Sequence, residues 1–99
     1  MVDLQEIEAI KRLKHRYMRC IDEKRWDELA DCFVENATVA YSGDKYSFAG
    51  RDAIMKFLVE SMDRDSFFSS HRVSQPEIEL TSETTATGIW ALEDTVIDT

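Results

Sequence analysis

The chain has 99 residues, 43% of them apolar, and 20 acidic against 12 basic side chains leave a formal charge of −8. That length allows one small domain, residues 1–99, with a modest core; the even mixing of charged and apolar residues argues against disorder, and the negative field makes nucleic acid and anionic membranes poor partners. No apolar run approaches the ~20 residues of a membrane span, and the acidic, amphipathic start MVDLQEIEAI is unlike a signal peptide, so the expected location is cytoplasmic.

From Asp3 to about Lys24, Ile7, Ile10, Leu13, Tyr17, Cys20 and Ile21 recur at helical spacing. Asp3 is placed to cap this helix, with Glu6 three residues on as in a capping box. RWDELADCF keeps the same period through Trp26, Leu29, Ala30 and Phe33 and predicts a second, short helix. In ATVAYSGDKYSFAG the period changes: Val39 and Tyr41, then Ser-Gly-Asp, then Tyr46 and Phe48 read as a β-hairpin. RDAIMKFLVESM restores a helical stripe through Ile54, Phe57, Leu58 and Met62.

SFFSSHRVSQPEIEL and TATGIWALEDTVIDT then read as two long strands joined around Ser82 and Glu83. If that turn is a two-residue hairpin loop, cross-strand partners have numbers summing to about 165. His71 then faces Asp94 and Gln75 faces Trp90, while Val73, Trp90, Leu92 and Asp94 share one face. The vulnerable point is Pro76, which cannot donate to the ladder; one bulged residue there would turn His71 over. The element order predicts an α+β fold, helices on one face of a curved antiparallel sheet, closing a cone with an apolar interior suited to a pocket.

Two pairs of side chains are equipped for chemistry. A carboxylate at Asp94 accepting from one nitrogen of His71 would set its tautomer and leave the other nitrogen to move protons near neutral pH; an exposed histidine with a surface salt partner is an equally simple reading. Tyr17 enters the apolar stripe of the first helix, where its hydroxyl needs a partner, and Asp22 follows at the helix end; a satisfied core tyrosine and a surface acid are the plainer alternative. Cys20 and Cys32 read as buried thiols, and His15, between Lys14 and Arg16, as solvated. No spacing builds a metal site and no glycine-rich loop cradles phosphate, so neither metal nor cofactor is expected.

The stretch IEAIKRLKHRYMRCIDEKRWDELADCF, the His71 strand ahead of PEIEL, and SETTATGIWALED resemble the SnoaL-like branch of the nuclear transport factor 2 (NTF2) superfamily. Within that branch they are similar to the bile-acid 7α-dehydratases of gut bacteria, and more distantly to scytalone dehydratase. The resemblance implies a cone-shaped α+β barrel of the NTF2-like type and a cofactor-independent dehydratase acting on an apolar ring substrate such as a steroid or polyketide. It makes Tyr17 the proton-donating tyrosine, Asp22 the helix acid, His71 the general acid/base and Asp94 its dyad partner, with Trp90, Leu92, Val73 and Phe57 expected along the substrate pocket. The sequence departs from the dehydratase pattern in having Ser74 where a second histidine follows the first, and in lacking the further strands and arginine of the family, so the cone is expected to be truncated at its C-terminal strands.

The same acid–base set would serve a ketosteroid-isomerase-like isomerase or a polyketide cyclase, and the superfold also carries non-catalytic modules that bind a ligand or a protein. The apolar last strand, with Trp90, Leu92, Val96 and Ile97, needs cover, which predicts a homodimer or homotrimer.

Overall fold

The computed structural model describes residues 3–98. Helix α1, Leu4–Asp22, is capped as its sequence predicts: the Asp3 carboxylate accepts from the N–H groups of Gln5 and Glu6 at 3.0 and 3.2 Å. At the other end, Lys24 turns into the left-handed region at φ 56. The Lys24 N–H then reaches the Ile21 carbonyl at 3.2 Å and the Arg25 N–H that of Cys20 at 2.8 Å, a Schellman termination that stops α1 just after Asp22.

Burial along α1 is uneven. Met18, Cys20 and Ile21 are buried, whereas Leu13, expected on the inner stripe, is 44% exposed. The core therefore forms at the C-terminal half of α1, where Cys20 and Ile21 meet Leu29, Ile54 and Leu58. The second helix, α2, is only Trp26–Ala30. The chain then tightens into i→i+3 turns, Cys32 to Leu29 and Phe33 to Ala30, which still deliver Phe33 to the core.

Strands β1 (Thr38–Tyr41) and β2 (Tyr46–Ala49) form the expected hairpin, with Tyr41 opposite Tyr46. Gly50, at φ 93, opens α3 (Arg51–Met62) in a conformation that favours glycine. Its N–H bonds the Ala37 carbonyl at 2.8 Å, tying the start of α3 to the hairpin.

Strands β3 (Phe67–Leu80) and β4 (Ala86–Asp98) pair antiparallel, and His71 does stand opposite Asp94. Two departures from the expected hairpin cancel to produce this. The connection is the five residues from Thr81 to Thr85, not a two-residue turn at Ser82 and Glu83, so pairing begins one residue out of step, with Leu80 opposite Ala86. A bulge between Ser74 and Glu77, with Gln75 at φ 52, takes up the extra residue and restores the step by Ser74 and Ala91. Gln75 lies in that bulge and does not pair with Trp90. The bulge also changes which parity faces inward: Phe67, Ser69, His71 and Val73 before it, and Ile78 and Leu80 after it, are the less exposed residues of β3.

Helix α1 lies against β3, while β4 extends beyond it. Leu92 and Val96 on the inner face of β4 are 54% and 51% exposed, and Phe68 and Ile97 on the outer face 59% and 53%. The radius of gyration, 14.4 Å, accordingly exceeds the about 12.6 Å of a compact chain this long. Among the described residues, no helix is long and apolar enough to cross a membrane.

Candidate active site

Among the described residues strand β3 pairs with β4 on one side only, so alternate N–H groups along it point away from the sheet. The N–H of His71 is one of these, and Asp22, on the last turn of α1, meets it: Oδ2 accepts at 2.8 Å. The other carboxylate oxygen, Oδ1, accepts from the Ser69 hydroxyl at 2.9 Å and lies 2.6 Å from His71 Nδ1. Both side chains are largely enclosed, at 15% and 21% exposure. An ionised carboxylate offers only acceptors, so Nδ1 carries the proton and a neutral His71 has its lone pair on Nε2.

Asp94 approaches that second nitrogen, with Oδ2 3.9 Å from Nε2, too far for a hydrogen bond, and it is 51% exposed. Of the two carboxylates near His71, it is Asp22, not the expected dyad partner Asp94, that lies within hydrogen-bond distance of the ring. Strand pairing brings Asp94 opposite His71, but Nδ1 faces the helix side, where the carboxylate of Asp22 also satisfies the otherwise free edge N–H.

Tyr17 finds its partner elsewhere. Its hydroxyl lies 2.8 Å from that of Tyr41 at the end of β1, and its ring meets Phe33 edge-on at 5.7 Å. Burial, then the bond to Tyr41, pushes the Tyr17 phenol well above its usual range, and burial raises Tyr41 too; both are hydroxyl donors at neutral pH. Phe57 stacks on Tyr41, Tyr46 and Phe48 at 5.9, 5.4 and 4.6 Å, so it buttresses Tyr41.

Val73 borders a cleft of ≈ 400 Å³ with Asp22 and His71. A larger recess of ≈ 1130 Å³ lies apart from this pair, between the first turn of α1 and the β3–β4 connection. Trp90 lies over Gly88, where a Cβ would come within 2.6 Å of its ring, and its buried Nε1 has no acceptor among the described residues. Leu92 lies open beyond it. Ser69 and Tyr41 are additions to the expected set: the i, i+2 relation of Ser69 to His71 was a visible signal, whereas the pairing of Tyr17 with Tyr41, 24 residues apart, had none. Cys20 is buried as expected and Cys32 partly so. Among the described residues, no group of three His, Cys, Asp or Glu side chains could hold a metal ion.

Helices packed on an antiparallel sheet make an α+β fold that matches the NTF2-like type. The chain belongs to the SnoaL-like domain family, whose model matches residues 2–99. A candidate scytalone dehydratase from Novosphingobium aromaticivorans superposes with a TM-score of 0.86 at 32% identity, over 97% of this chain and 63% of that one. The Aln2 protein of a Streptomyces species gives 0.80 at 18% identity, over 97% and 68%. A Catenulispora acidiphila protein in complex with S-DNPA gives 0.73 at 22%, over 94% and 69%. The chain thus spans less than two thirds of the Novosphingobium protein.

Proposed function

We propose that the protein is a cofactor-independent lyase that eliminates water from an apolar ring substrate bearing a carbonyl, of steroid or polyketide type. The observation that carries this reading is the Asp22–His71 pair, which engages Nδ1 and leaves the lone pair of a neutral ring on Nε2, with both residues lining the cleft.

His71 Nε2 takes a proton from carbon activated by the carbonyl, and the electron pair moves onto the carbonyl oxygen. Tyr17, a protonated donor backed by Tyr41, hydrogen-bonds the developing enolate. When the enolate returns to the carbonyl, a new carbon–carbon double bond forms as the C–O bond to the hydroxyl breaks, and Nε2 gives its proton to the departing oxygen, which leaves as water. Asp22 stabilises the imidazolium between these steps, and Asp94, beside Nε2, accepts a hydrogen bond from the departing group. A bile-acid-like 3-oxo-4-ene steroid thioester fits this chemistry, as does a hydroxylated polyketide ring. The S-DNPA complex of the Catenulispora protein is a precedent for a small molecule held in this fold.

The test is dehydration of a 3-oxo-4-ene steroid thioester, and of a small panel of hydroxylated ring ketones, by wild type and His71→Ala. Loss of about 10²–10⁴ in kcat is expected for the variant; unchanged turnover would remove His71 from the chemistry. Product analysis distinguishes elimination from isomerisation or aldol-type cyclisation, which draw on the same enolate.

A further inference from the structure

Lys14 is partly buried, yet among the described residues no carboxylate lies within ion-pair distance of it. In a chain with 20 acidic residues that isolation is notable. Its helix neighbours three and four residues away, Ile10, Lys11, Tyr17 and Met18, include no acid. Its Nζ lies instead 5.1 Å from the centroid of the Tyr17 ring and 5.4 Å from that of Trp90, spanning the gap between α1 and β4.

Two aromatic faces offset part of the cost of partly burying an ammonium group, but they accept no conventional hydrogen bond from its three N–H donors. Burial lowers the Lys14 pKa, in keeping with a charge that lacks a counter-ion. The buried Nε1 of Trp90 is a further donor without an acceptor among the described residues. Gly88 leaves the Trp90 ring the room it occupies here, since a Cβ at that position would come within 2.6 Å of it. The locality is rich in donors and short of acceptors, beside the tyrosine assigned to the enolate.

We propose that Lys14 anchors an anionic oxygen of the ring ligand, a carboxylate or phenolate, with the Trp90 ring as the platform beside it. This deepens the reading of the site as one for ring substrates and rests on it. Lys14 is then a specificity-determining residue: it selects acidic ring compounds over neutral ones in a protein whose overall charge repels them.

The probes are 2-naphthoate and its neutral isostere 2-naphthamide, titrated by calorimetry into wild type, Lys14→Met and Lys14→Arg. Wild type is expected to prefer the carboxylate by about tenfold, less so as salt rises. Lys14→Met, which keeps the apolar stem, is expected to lose that preference while binding the amide unchanged, and Lys14→Arg to retain it. An equal preference in Lys14→Met, or no carboxylate preference in wild type, overturns the proposal; so does failure of the carboxylate to bind. His71→Ala separates the two readings: it is expected to retain the charge preference, so normal turnover in that variant would sink the lyase mechanism and leave the Lys14 anchor standing.

Discussion

At the scale of single residues, the proposed chemistry turns on which carboxylate partners His71. Asp22 makes three contacts at hydrogen-bond distance, to Nδ1 and the N–H of His71 and to the Ser69 hydroxyl, whereas Asp94 stands 3.9 Å from Nε2 and is half exposed. Asp22→Asn can still accept from the backbone, but its amide can also donate to Nδ1 and favour the wrong tautomer. It is expected to lower kcat by about 10²–10⁴, and Asp94→Asn by less than about tenfold; steady-state kinetics with the two variants in parallel check this, and the reverse order would return the orienting role to Asp94. Cys20 is a separate case: burial, then its bond to Glu28, pushes the thiol up to about 11. The native thiol keeps its proton from the unfolded value of about 8.5 up to that value, a range in which an unfolded chain has lost it. Its stabilising contribution is therefore complete below about pH 8.5 and lost as pH rises toward 11. Slow reaction of native Cys20 with a disulfide reagent at pH 8, and fast reaction in denaturant, are expected.

At the scale of elements, the β3 bulge and the Trp90 packing carry the consequences. Gln75 adopts φ 52, a region that costs a residue with a Cβ about 1 kcal/mol or more. Gln75→Gly is expected to stabilise the fold by about 0.5–1 kcal/mol without moving the register, measured by urea unfolding. Gly88→Ala works the other way, because its Cβ would sit 2.6 Å from the Trp90 ring. A loss of about 1–3 kcal/mol is expected, with a shifted Trp90 fluorescence spectrum; an unperturbed spectrum would mean the ring does not lie on Gly88.

At the scale of the whole molecule, the β3–β4 hairpin leaves Phe68, Ile89, Leu92, Val96 and Ile97 open on its two faces, each at least 51% exposed. Apolar surface on a strand pair with free edges favours association. The isolated chain is expected to form a homodimer or homotrimer, and light scattering across a dilution series checks this; a monodisperse monomer would be inconsistent with it. The helices show why only one half of the molecule is well packed: α2, α3 and the β1–β2 hairpin close over the C-terminal half of α1, and its first turns have no comparable cover.

Periodicity alone determined that the described residues form three helices, a short hairpin and two long strands, because each element must present an apolar stripe or face to a core. Opposite residues in a hairpin share a face, so the His71–Asp94 register was legible as well, although it holds only because an unforeseen five-residue connection is offset by a bulge at Gln75 and Pro76. The bond from Asp22 to His71, spanning 49 residues, and that from Tyr17 to Tyr41 were decided by tertiary structure. Spacing constrains which side chains share a face of one element; which faces of different elements meet depends on how α1 docks across β3 and on the free N–H groups that this docking must satisfy.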